Sequence, residues 1–217
     1  YVSDSSPILN YVTLSGNTIP LSDGWSEGTG GAGMIVGGES HPILNHVTIS
    51  DNNGNGLRSH SPITLNHVTI VGNTTGAFVN YYSNHESTMT NSIFWDNGPE
   101  AIGADYGDGF VVSYSDIEGG YEGEGNIDSA PLFTDPDNGD YSLIQFSPCI
   151  DAGTADLDGD GEEDISDYVG AAPDMGAHEH FCGSGSYDDC GLCDGDDDCS
   201  LCNDENGYDC SSCSCSG

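Results

Sequence analysis

One short phrase recurs four times in the first half of this chain, and few folds can accommodate it. The copies are Pro7-Ile-Leu-Asn-Tyr-Val-Thr-Leu-Ser-Gly-Asn17, Pro42-Ile-Leu-Asn-His-Val-Thr-Ile-Ser-Asp-Asn52, Pro62-Ile-Thr-Leu-Asn-His-Val-Thr-Ile-Val-Gly-Asn73 and the degenerate Met89-Thr-Asn-Ser-Ile-Phe-Trp-Asp-Asn97. A unit recurring every 20 to 35 residues or so is too short to bury a core alone and must stack on its neighbours. Each copy joins β-branched and apolar residues to Asn and Gly, which predicts strands closed by turns. Val12/Leu14, Val47/Ile49 and Val68/Ile70 alternate with period two, giving one apolar face per strand. The expected fold is all-β, a parallel β-helix. Asn10, Asn45, Asn66 and Asn91 are expected at one bend of successive coils, and Asn17, Asn52, Asn73 and Asn97 at a second. Asn tolerates the left-handed conformation, and its amide can bond to the copies above and below. Further strands are expected at 33–36, 56–59 and 76–79, with residues 22–33, around Trp25, thrown out as a loop.

Charge divides the rest of the chain. There are 37 Asp and Glu, one Arg (Arg58) and no Lys, for a formal charge of −36. The carboxylates gather after residue 104, so the repeats stay nearly neutral and the acid is local. A compact acidic half calls for screening cations, and so negative a chain disfavours DNA, RNA, pectate and anionic membranes as partners. No apolar run reaches the roughly 20 residues of a membrane span. The first residue is Tyr, with no initiator Met and no signal peptide, as in a processed or cropped product. Three regions are expected: coils over 1–120, an acidic C-terminal cap over 121–180 and a Cys-rich tail over 181–217.

The tail holds Cys182, Cys190, Cys193, Cys199, Cys202, Cys210, Cys213 and Cys215, eight of the nine cysteines. With so few apolar residues nearby, such a segment needs covalent or metal staples. The Cys190/Cys193, Cys199/Cys202 and Cys210/Cys213 pairs resemble zinc knuckles, but the gap between the first two is short for a zinc ribbon. Disulfides suit a secreted chain better. Cys149 is expected to be a buried free thiol. Asn73-Thr-Thr75 fits a glycosylation acceptor only as a three-residue match.

The sharpest chemical motif begins at Asp156. Asp156, Asp158, Asp160, Asp164 and Asp167 fall at positions 1, 3, 5, 9 and 12 of a calcium-type loop. Gly161 sits at the tight turn, and Glu162 takes the place that supplies a backbone carbonyl. Ca2+ is therefore the expected ion. The competing reading is a solvated acidic loop, commoner than usual in so acidic a chain. Asp135-Pro-Asp-Asn-Gly-Asp140 reads as a turn.

Several landmarks resemble one family when taken in order. They are Val112-Ser-Tyr-Ser-Asp-Ile-Glu-Gly-Gly120, Gly125-Asn-Ile-Asp-Ser-Ala-Pro-Leu-Phe133, Gly139-Asp-Tyr-Ser-Leu143, Ser147-Pro-Cys-Ile-Asp-Ala-Gly153 and Asp174-Met-Gly-Ala-His-Glu179. Residues 7–180 resemble the C-terminal coils and cap of secreted bacterial right-handed parallel β-helix proteins of the pectate-lyase-like superfamily. The resemblance implies an extracellular or cell-surface location. The Asp/Cys/Gly-rich tail is similar to segments found downstream in such proteins.

That resemblance does not supply an activity. The lyases it points to use basic side chains for proton abstraction and uronate binding, and here only Arg58, expected to face solvent, is available. The hydrolases use clustered Asp on neighbouring coils, whereas Asp51 and Asp96 sit at turns. His46 and His67, with Tyr11 above, are expected to form an outward stack. No enzyme is therefore expected. The residues fit a calcium-stiffened structural or adhesive rod that polymerises through its β-helix ends. The alternatives are a module using Trp25, Tyr81 and Tyr82 on neutral glycan, or a fragment of a polysaccharide-degrading enzyme.

Overall fold

The computed structural model describes residues 1–18, 31–80, 87–104 and 110–181. Trp25, Tyr81, Tyr82 and the eight tail cysteines lie outside the described residues. Two stacks of parallel strands run through the repeats. The first has the order β1 (Val2–Ser3), β4 (Gly31–Gly37), β6 (Asn55–Ser59), β8 (Gly76–Asn80) and β11 (Glu100–Ala104). The second takes the repeated phrase itself. It stacks β2 and β3 (Ile8–Asn10, Thr13–Ser15) on β5 (Ile43–Ser50) and β7 (Thr64–Val71), followed by β9 and β10 (Ser87–Thr90, Ile93–Trp95) and β12 and β13 (Phe110–Ser113, Asp116–Ile117).

Stacking in register sorts side chains into columns. Leu9, Leu44, Leu65, Met89 and Val112 form one inward column, and Leu14, Ile49, Ile70, Phe94 and Ile117 another. Met34, Leu57, Phe78 and Ile102 face them from the first stack. Alternation in sequence thus becomes a continuous apolar core, which no single repeat could bury alone.

The two Asn columns differ in burial. Asn17 Nδ2 donates to Asn52 Oδ1, Asn52 Nδ2 to Asn73 Oδ1 and Asn73 Nδ2 to Asn97 Oδ1, each at 2.9 Å. The backbone N–H groups of Asn17, Asn52 and Asn73 donate to the same oxygens. Asn73 is 1% exposed, so its amide is committed to this ladder and does not present a glycan acceptor. Among the described residues the outer ladder runs only from Asn66 to Asn45 to Asn10.

Asn91 does not join the outer ladder: Asn66 pairs with Thr90. The left-handed position lies one residue later than the sequence reading placed it. Tyr11, His46, His67, Asn91 and Tyr114 occupy it, with φ between 46° and 56°. Asn91 therefore sits beneath His67, its Nδ2 3.2 Å from His67 Nε2. Arg58, expected to face solvent, is only 8% exposed, because β6 lies mid-stack and Arg58 registers beside Ile35.

After β13 the register of long strands stops. Ile127 still pairs with this last coil, its N–H donating to Ser115 O while its carbonyl accepts from Ile117. Residues 131–181 then fold back along the flank of the solenoid. They include the antiparallel pair β14 (Phe133–Asp135) and β15 (Asp140–Leu143), joined by a turn over 136–139. Ile93, Leu143, Cys149 and Met175 form a second buried cluster beneath this strap. The Tyr141 hydroxyl donates to Asp51 Oδ2 at 2.8 Å, and burial is the main cause pushing its pKa up to about 12. Tyr141→Phe should lower the unfolding free energy by about 1–2 kcal/mol, because Asp51 loses a donor. Chemical denaturation of the two proteins measures it.

Candidate functional site

The left-handed bend divides the outer surface of the second stack into two faces. On one side Thr48, Thr69, Ile93 and Asp116 line up, and the strap covers them. On the other side the column Thr64, Thr88, Val111 and the column Asn66, Thr90, Ser113 form the floor of an open cleft of about 870 Å³. Period-two alternation places these residues outward while their neighbours fill the core.

The rim is acidic and comes from two separate segments. Glu122 and Glu124 follow the last coil, and Asp156, Asp158 and Asp164 come from the strap. Tyr114 donates its hydroxyl to Glu124 Oε1 at 3.1 Å, and this bond is the main cause raising its pKa. The six floor residues carry hydroxyls, one amide and the 47% exposed Val111, with no acidic or basic side chain among them.

Loop 156–164 is organised by its own first carboxylate. Asp156 accepts from the N–H groups of Gly159 (2.7 Å), Asp160 (3.2 Å) and Gly161 (2.8 Å), so the backbone wraps around it. Gly161 turns at φ 90°, a conformation side chains resist. Asp164 accepts from Leu157 N–H at 2.8 Å, closing the loop. Oxygens of Asp156, Asp158 and Asp164 all lie within 4.8 Å of one another. Calcium–oxygen bonds are about 2.3–2.6 Å, so one ion can reach all three. Asp160, Glu162 and Asp167 stand outside this group. The Asp160 Oδ1 is engaged by Glu162 N–H, and Asp167 acts electrostatically on His46 and His67.

The imidazoles do stack, as expected: Tyr11 on His46 at 4.8 Å and His46 on His67 at 4.7 Å between ring centroids. They are less open than the sequence suggests. His67 is 3% exposed, and burial lowers its pKa to about 3. A neutral, enclosed ring of this kind is a packing element. Cys149 is a buried free thiol, donating to Asp116 Oδ2 at 3.2 Å, and burial pushes its pKa up. It is the one cysteine among the described residues.

The cleft itself escaped the sequence reading. Its signal was the register of β12 on β9, which places Val111 beside Thr88.

Residues 1–123 match the family model described as right handed beta helix region, and the chain belongs to that family. Comparisons with curated proteins and with solved structures gave no match. No helix among the described residues is long and apolar enough to cross a membrane.

Proposed function

We propose that this protein is a non-catalytic structural or adhesive solenoid of the extracellular space, stabilised by calcium on loop 156–164. The observation that carries this reading is the grouping of Asp156, Asp158 and Asp164 at the rim of a cleft whose floor bears no acid–base pair. Without a cation these carboxylates repel one another. With one bound, the loop and the strap that carries it are held together. Calcium at about 100 times its Kd contributes about 2.7 kcal/mol. For a chain of this size that corresponds to a melting shift of about 5–10 °C. Thermal unfolding in calcium and in excess chelator should show this shift, and Asp158→Ala with Asp164→Ala should abolish it. An unchanged curve in chelator, or release of products from a polysaccharide panel, overturns the reading.

Assembly through the solenoid ends belongs to the same reading. Among the described residues, β2 and β3 pair on one side only, and Ile8 and Tyr11 are 62% and 74% exposed there. Unpaired strand edges of this kind accept further strands. Sedimentation in calcium should show concentration-dependent elongation, and a protein monomeric at high concentration defeats it. The alternative, a module for neutral glycan, is favoured by the hydroxyl, amide and apolar floor of the cleft. Glycan-array binding lost on Val111→Asp would support it.

A further inference from the structure

The strap is attached to the solenoid by a specific set of contacts. Asn91 Nδ2 donates to Thr154 O and its Oδ1 accepts from Thr154 N–H, both at 2.7 Å. Gly176 N–H donates to Asn91 O, and Ala177 N–H to Thr69 Oγ1 at 2.9 Å. Closure buries Ile93, Leu143, Cys149 and Met175, which favours it. It also buries two carboxyls, Asp116 on β13 and Asp174 on the strap, 0% and 1% exposed. The chain has no Lys and a single Arg, which lies in β6. A buried charge without a cationic partner is costly, whereas a neutral carboxyl that is hydrogen-bonded is not.

We propose that residues 131–181 are a pH-operated strap, held on the solenoid flank when Asp116 and Asp174 are neutral and loosened when both ionise.

The surroundings of the two groups support this. Asp116 faces Ser129 N–H and the Cys149 thiol, which lower its pKa, and Asp128 and Glu118, which raise it. Burial outweighs the rest and pushes it up to about 6. Asp174 accepts from Asp151 N–H (2.8 Å) and His180 N–H (2.6 Å), but Glu179 and Asp151 oppose its charge, and it acts electrostatically on the Cys149 thiol. Burial again dominates and pushes it up to about 7. His46 and His67 have pKa values lowered chiefly by burial; Asp167 acts on both in the opposite sense, and His178 acts on His46 in the same sense as burial.

For a carboxyl whose pKa is raised on closure, the stabilisation is complete below its ordinary value. It disappears as pH rises through the closed-state value. Closure is thus weakened as pH rises from about 4 to about 7, the reverse of an ordinary salt-bridged Asp. His46 and His67 act the other way: charging them in acid costs closure, so the tightest strap lies at mildly acidic pH.

The test is hydrogen exchange on the full chain at constant excess calcium, corrected for intrinsic rates, from pH 3.5 to 8.5. Amides in residues 131–181 should exchange about tenfold more slowly at pH 6 than at pH 8, while those in β5 and β7 keep a constant ratio. The loss should continue up to, and level off at, about pH 6 to 7. Levelling off near 4 would mean general repulsion among surface carboxylates and overturns the proposal, as does a flat profile. Asp174→Asn should flatten the profile. Should that variant loosen the strap at every pH, Asp116→Asn decides. Its amide can accept from Ser129 and donate to the Cys149 sulfur, so at pH 8 its strap should exchange more slowly than wild type. Equal or faster exchange there overturns the proposal.

Discussion

Asn73→Ala should lower the unfolding free energy by about 3 kcal/mol, whereas Asn10→Ala should cost less than about 1 kcal/mol. Both residues belong to ladders built from the same side chain, so the contrast isolates burial. Asn73 accepts from Asn52 N–H and Nδ2, and its own amide reaches Ile49 O, Val71 O and Asn97 Oδ1. Alanine leaves Asn52, itself 0% exposed, with a backbone donor that water cannot reach. An unpaired buried donor carries its full desolvation cost, and the missing amide leaves a void beside it. Among the described residues Asn10 accepts only from Asn45 Nδ2, and it is exposed, so water replaces the lost bond. Urea denaturation of the three proteins measures both differences. Similar losses at the two positions would mean that the ladders stabilise by strand propensity and that buried hydrogen bonding contributes little.

The solenoid was legible because stacking turns a repeat into columns. Leu44 above Leu65 in space is the same statement as Leu44 and Leu65 in matching places of two phrases. The slip at Asn91 arose where letter identity and spacing disagree. Asn10, Asn45 and Asn66 each precede the inner-column Asn by seven residues, and counting back seven from Asn97 gives Thr90, the observed partner of Asn66. Spacing was the better guide, since register is set by the number of residues between bends.

The strap was not legible for the opposite reason. Tyr141 finds Asp51 across 90 positions, and Ala177 finds Thr69 across 108, with no repeat to announce either meeting. The acidic loop lies between these extremes. Of the six residues that local spacing put at one ion, Asp156, Asp158 and Asp164 converge, because bonds within nine residues shape that loop, while Asp160, Glu162 and Asp167 stand outside the group. It could not foretell that the loop would become one wall of a cleft, because the other wall comes from the segment after the last coil and the floor from coils further back in the chain.

Gly176→Ala should detach the strap while leaving the coils folded, at a cost of about 3 kcal/mol to closure. Gly176 has φ 97°, outside the range that alanine adopts without strain. A methyl group there would also stand 2.8 Å from Ile93 Cδ1 and 3.0 Å from Thr69 Oγ1. Neither neighbour yields easily: Ile93 belongs to the buried cluster under the strap, and Thr69 is committed to Ala177 N–H. Relief comes by lifting residues 174–177, which gives up the bonds to Asn91 and Thr69 together. The half-buried Trp95 packs against the cluster beneath, so detachment should admit water to its ring. With Trp25 replaced by Phe to leave one reporter, Trp95 emission should shift to the red in Gly176→Ala. The far-ultraviolet circular dichroism of the stacked strands should stay as in the parent protein. Loss of both signals together would mean that strap and solenoid unfold as one cooperative unit, since a strap that opens on its own must leave the strand signal intact.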